Sequence, residues 1–109
     1  MRGLSQKIIT HKPLIILKGE GFQMDIIKVS SRSVPKSVAG AISAVIRGGS
    51  PAVVEAVGAG AVNQAVKAAA VARTFLAEDG IEAICIPEFG EFEVAGEVKT
   101  GMKFTVDKR

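Results

Sequence analysis

The chain alternates between short β-rich runs and two stretches with a helical repeat of apolar positions, and glycine or proline punctuates each change. Asp25-Ile26-Ile27-Lys28-Val29-Ser30 is rich in β-branched residues and predicts a strand. Ser31-Arg32-Ser33 makes a polar turn. Pro35 suits the first turn of a helix, where its missing N–H leaves no hydrogen bond unmade. Val34, Val38, Ile42, Val45 and Ile46 then recur on one helical face, and Gly48-Gly49 stops the helix. After Pro51, residues 52–57 predict a second strand.

Gly58-Ala59-Gly60 predicts a tight turn, followed by an alanine-rich helix from about residue 61 to 77, alanine being the strongest helix former. Val62, Val66, Ala69 and Leu76 mark its expected buried stripe, and the many alanines allow a neighbouring backbone to come close. Asn63, Lys67 and Thr74 share another face, with Gln64 beside them. Asp79-Gly80 closes the helix and residues 81–87 predict a third strand. Residues 89–94 continue extended, Ala95-Gly96 turns, and residues 100–106 alternate as a fourth strand that Gly101 weakens. The order β-α-β-α-β-β predicts right-handed crossovers between the first strands and a terminal antiparallel hairpin.

At 109 residues this is one domain, and 48% hydrophobic with 23% charged residues is ordinary globular usage. Without Trp or Tyr, a surface that stacks several bases on aromatic rings is not expected. One cysteine excludes an internal disulfide framework and a cysteine-rich zinc site. Cys85, between Ile84 and Ile86, is expected to be a buried, inert thiol. The one histidine, His11, has no partner, so no Ser-His-Asp set can be assembled and no enzyme activity, cofactor or metal is expected. No apolar run approaches the roughly 18 residues of a membrane span, and residues 14–17 are too short for a signal core, so the expected location is the cytoplasm.

Charge is uneven along the chain. Residues 1–23 hold four bases against one acid, residues 25–77 six against two, residues 78–98 seven acids and no base, and residues 99–109 four bases against one acid. The expectation is a polarised molecule, with one basic end and one acidic end. The acidic strip 78–98 is either a solvated surface or a face for a protein partner. Residues 1–23 lack a helical period. Lys18-Gly19-Glu20 can be encoded by a purine-rich stretch resembling a ribosome-binding site, a few codons before Met24. Met24 is therefore expected as the native start, with 1–23 a translated leader; an extra strand at 13–17 is the alternative.

The most informative local feature is a strand, then Gly58-Ala59-Gly60, then a helix start. A helix N-terminus carries about half a positive charge and unpaired N–H groups, which attract phosphate. As a dinucleotide fingerprint the match is partial, because Asn63 stands where a third glycine belongs. The same glycines serve a tight turn equally well. In an α/β arrangement the loops after the first two strands open on one edge of the sheet. That places Ser31, Arg32, Lys36, Gly58, Gly60, Asn63, Gln64 and Lys67 near one another as candidate phosphate ligands. Bases at helix N-termini oppose the helix dipole, which points to a use other than folding; scattered solvated bases are the plain alternative.

Ile27-Lys28-Val29-Ser30, Pro35 with Ser37-Val38-Ala39-Gly40-Ala41, Ala56-Val57-Gly58-Ala59-Gly60-Ala61-Val62-Asn63-Gln64-Ala65-Val66-Lys67-Ala68 and Ile84-Cys85-Ile86-Pro87 resemble the bacterial stage V sporulation protein S family. The resemblance runs over residues 24–109 and omits 1–23. That family is similar in fold to the Alba chromatin proteins. The resemblance implies an α+β two-layer sandwich, a four-stranded mixed sheet with two helices on one face. It also implies a homodimer or higher homo-oligomer, and a regulator of sporulation or related development that binds DNA or RNA, in the cytoplasm or on the nucleoid. Alba proteins contact nucleic acid through the loops before both helices and the terminal hairpin. Carried over, these are residues 31–36, 58–67 and 89–99. Two departures follow: the second loop reads Gly58-Ala59-Gly60-Ala61 where Alba proteins carry arginines, and the hairpin is acidic through Glu88, Glu91, Glu93 and Glu97. The expected affinity is modest and salt-sensitive, with little sequence selectivity, since no base-reading set is present. A protein-interaction module acting through the acidic strip is the second reading, and a site for a small phosphorylated ligand at the glycine turn the third.

Overall fold

The computed structural model describes residues 25–109; the readings of residues 1–23 and of Met24 as a start lie outside the described residues. The elements are β1 (Asp25–Val29), α1 (Pro35–Arg47), β2 (Ala52–Ala56), α2 (Ala59–Ala77), β3 (Ala83–Val94) and β4 (Glu97–Lys108). The sheet order is β1-β2-β4-β3. β1 and β2 pair in parallel, whereas β4 runs antiparallel to both β2 and β3. The α+β, mixed-sheet architecture is therefore the one the sequence predicts.

Strand alternation decides which face meets the helices. Ile27, Val29, Val54, Ala56, Phe104 and Val106 form one core with Val38, Ile42 and Ile46 of α1 and with Ala61, Ala65, Ala68, Ala72 and Leu76 of α2. The buried stripe of α2 thus differs from the expected one. Val66 is half exposed and Val62 only partly buried, while the alanines turn inward. The physical reason is space: α2 packs against α1 as well as the sheet, and the short alanine side chain permits that approach. Val34 is also exposed, because it is the N-cap of α1 and precedes the helical repeat.

Three boundaries move. α2 starts at Ala59 rather than 61, since the backbone breaks at Gly58, whose φ of 95° is a conformation that favours glycine. β3 is one continuous strand through Pro87, which is tolerated because β3 is an edge strand. β4 begins at Glu97 and runs through Gly101. A Cβ on Gly101 would stand 2.5 Å from the Ala56 carbonyl and 3.2 Å from the Phe92 ring, so strand pairing there requires glycine. The hairpin reverses through Ala95 and Gly96, both at positive φ.

Candidate functional site

Both helices begin where β1 and β2 end, so their N-termini share one end of the sheet. Neither has a capping side-chain bond or an acid in its first turn. Their N–H dipoles are therefore open to an anion from outside. The loop between β1 and α1 is held in place by its serines. Arg32 N donates to Ser30 Oγ at 3.1 Å, and Ser30 N donates to Ser33 Oγ at 2.9 Å. Ser33 is buried, and its own N–H returns to the Ser30 carbonyl at 3.1 Å.

This loop is fastened to α2. Gln64 Nε2 donates to the Ser33 carbonyl at 2.9 Å, and Gly60 packs so closely on Ser31 that an added Cβ would stand 2.8 Å from Ser31 Cβ. Gly60, Gln64 and Lys67 lie at i, i+4 and i+7, along one stripe of α2. The structure thus joins Ser31 to Gly60 and Ser33 to Gln64 directly, with Gly58 at the break before α2. Arg32 is exposed at the loop, Lys36 in the first turn of α1, and Asn63 and Lys67 on α2. Lys67 is set back about 12 Å along the helix axis from Ala59.

The polar candidates divide by role. Gln64 is engaged in bracing the loop, and the Asn63 amide reaches only its side-chain oxygen, at 3.5 Å. Gly58 and Gly60 are accounted for by backbone conformation and close packing. Arg32, Lys36 and Lys67 differ: none of the ion pairs among the described residues involves them. Arg47, by contrast, pairs with Asp79 at 2.6 Å at the far end of the helices.

The hairpin rises beside the rim. Met102 pairs with Ala56, the last residue of β2, so the β4 residues before it extend past the end of the sheet body on the same side as Gly58. Glu91, Glu93 and Glu97 are exposed on it, as are Phe89 at 78% and Val98 at 70%. The expectation of separate basic and acidic ends is therefore replaced by a basic rim and an acidic hairpin at one end. Of the two strands that carry the acids, β4 is antiparallel to β2 and β3 runs in the same direction as β2, and both continue beyond its end.

Cys85 is a second correction. It is exposed, because β3 lies at the sheet edge. Partial desolvation pushes its thiol above the usual range, so it remains protonated at neutral pH. No group of three or more His, Cys, Asp or Glu among the described residues is placed to hold a metal, and no described helix is long and apolar enough to cross a membrane. A cavity of about 310 Å³ between Arg73, Gly80 and Glu82 lies near the end of α2, away from the rim.

Sequence reasoning missed one constellation. Lys28, Glu55, Lys103 and Glu88 stand in register across all four strands on the face away from the helices. Lys28 meets Glu55 at 3.9 Å and Lys103 meets Glu88 at 3.0 Å. Burial raises the Glu55 pKa against the opposing pull of Lys28 and Lys103. Alternation in each strand hints at such a row, but the register that aligns the strands is absent from one sequence.

These features define a two-layer α+β sandwich with a basic, uncapped helix–loop rim. The family model for stage V sporulation protein S (SpoVS) matches residues 25–109, and the chain belongs to that family of sporulation regulatory proteins.

Proposed function

We propose that the protein regulates by holding a nucleic-acid backbone at the rim, with Arg32, Lys36 and Lys67 on phosphates and the N–H groups of both helix starts beside them. One observation supports this reading: the Gln64–Ser33 bond and the Gly60–Ser31 contact tie the loop that carries Arg32 to the first turns of α2, and neither helix start is capped. Ser31 and Asn63 border that place and supply neutral hydrogen-bonding groups. Gly58, Gly60 and Gln64 shape it. The contacts are to charge, not to base edges, so DNA and RNA are held with little sequence selectivity. The working unit is a homodimer in the cytoplasm.

Fluorescence anisotropy with a labelled duplex and a labelled single strand, titrated with salt, tests this. Three phosphate contacts per copy give a dimer a log–log salt slope of about −5 on duplex DNA. Lys36→Ala with Lys67→Ala reduces the slope by about 0.9 for each contact removed. Absence of binding at low salt, or a slope unchanged in the double variant, rejects the reading.

A second reading rests on Phe89 and Val98, two exposed apolar side chains set among the hairpin glutamates, which suit a basic protein partner. Glu91→Lys with Glu93→Lys would then abolish partner capture from a native extract and leave nucleic-acid binding in place. Unchanged recovery counts against it.

A further inference from the structure

We propose that the outer edge of β3 in the arm, from Phe89 to Glu93, receives an extended basic segment of a protein partner as an added strand. The inference rests on the second reading above and names the partner's form, a strand with bases at alternate positions.

β3 is twelve residues long and lies at one edge of the sheet, with β4 on its inner side only. The turn sets the phase of its hydrogen bonds. Ala95 and Gly96, both at positive φ, form a two-residue loop, and such a loop closes on a hydrogen-bonded pair, here Val94 and Glu97. Along the unbroken register before it, Phe92, Gly90, Glu88, Ile86 and Ile84 also direct their N–H and C=O groups to β4. Glu93, Glu91, Phe89, Pro87 and Cys85 direct theirs outward. Proline falls in the outward set, the one phase in which its missing N–H breaks no bond of the ladder. It also divides the edge. Beside the sheet body, Pro87 deprives an incoming strand of a donor, a common protection of exposed edges. Beyond it, Phe89, Glu91 and Glu93 turn complete N–H and C=O sets outward, with no strand beside them among the described residues.

Charge selects the occupant. Phe89 lies opposite Met102, which packs against the core, so Phe89, Glu91 and Glu93 project on the helix side of the arm. Glu91 and Glu93 stand opposite Thr100 and Val98 and join none of the ion pairs among the described residues, whereas Glu88 and Glu97 meet Lys103 and Lys99. The uncompensated charge thus sits on residues whose backbone is open. A strand laid antiparallel here sets one base opposite each of these glutamates and an apolar side chain opposite Phe89, which is 78% exposed. A second copy paired on the same stretch, about a two-fold axis at Glu91, would set like charges together, and a polyanion would meet the same two acids.

The edge is also preformed. Gly90 and Gly101 stand opposite each other in the arm, and the Phe92 ring covers both: an added Cβ would stand 2.7 Å from that ring at Gly90 and 3.2 Å from it at Gly101. The far side of the arm is therefore filled, and a strand docks without first ordering it.

The probe is a fluorescein-labelled peptide, Lys-Val-Lys-Val-Val, titrated by anisotropy with the full chain, while amide exchange is followed by NMR and circular dichroism checks folding. In the free chain the amides of Phe89, Glu91 and Glu93 exchange faster than those of Gly90, Phe92 and Val94. Saturating peptide slows the first three by about tenfold or more. N-methylation of the peptide's first, third and fifth residues, whose amides would face β3, weakens binding by about tenfold, and methylation of the second and fourth leaves it unchanged. Charge is the same in both peptides. Glu91→Pro, which removes an outward N–H as Pro87 does, weakens binding by about tenfold, and Glu91→Gln by only about threefold. Binding lost on Glu91→Lys with Glu93→Lys, yet indifferent to methylation and to proline, overturns strand addition and leaves the second reading standing. No binding of any peptide, or slowed exchange elsewhere than at the three outward amides, also overturns it. Slowing of those amides by a nucleic-acid strand and not by the peptide would give the edge to the other partner and overturn it too.

Discussion

The rim and the hairpin leave the sheet at the same end but are held there in different ways. The rim is a short loop fixed by four serine-rich hydrogen bonds and one glycine contact, and its exposed charges are positive. The hairpin is a long two-stranded arm whose far half pairs only with itself, and its exposed charges are mostly negative. The difference teaches where each can be approached. On the proposed reading, a polyanion would be drawn to the helix side of this end and repelled from the arm. The supports differ too: the rim is tied across to α2, whereas the far half of the arm relies on cross-strand pairs for its shape.

The largest expected effect is at the root of the arm. Gly101→Ala forces a methyl group against the Ala56 carbonyl, a backbone atom that can move only by parting β2 from β4. The expected loss is about 3 kcal/mol, read from urea unfolding. Gly60→Ala comes next. Its methyl group meets the Ser31 side chain, and the loop can give way, so the expected cost is roughly 1–2 kcal/mol. The comparison sharpens in a second measurement: Gly60→Ala weakens nucleic-acid binding more than its stability loss accounts for, because the rim is displaced. Equal binding by Gly60→Ala and wild type, both fully folded, would break the contrast between a rim tied to α2 and an arm paired with itself. The smallest effect is at the tip. Ala95 has a φ of 53°, and Ala95→Asn supplies the residue that two-residue hairpin turns favour before glycine. A gain of about 0.5 kcal/mol in thermal unfolding is expected, with nucleic-acid binding unchanged.

The sequence carried the element order and the mixed sheet, because proline at a helix start, glycine pairs and apolar spacing act locally. It also brought Ser31, Arg32, Gly60 and Gln64 to one rim, since loops after parallel strands open on a common edge. What it hid was set by tertiary packing. Alanine rather than Val66 faces inward on α2 because two neighbours press on that helix, a fact no periodicity encodes. Cys85 reads as buried between two isoleucines, yet its strand is an edge. The acidic stretch reads as a separate pole until the register of β4 on β2 carries it back beside the rim. Gln64 reads as a ligand until its amide is found on the Ser33 carbonyl.

The alternating signs across the sheet bear on how the strands find their alignment. Lys28, Glu55, Lys103 and Glu88 come from four separate segments, and each base lies beside an acid only in the native register. A slip of two residues keeps the same face outward but parts every base from its acid, so the row penalises misalignments that hydrophobic alternation alone would tolerate.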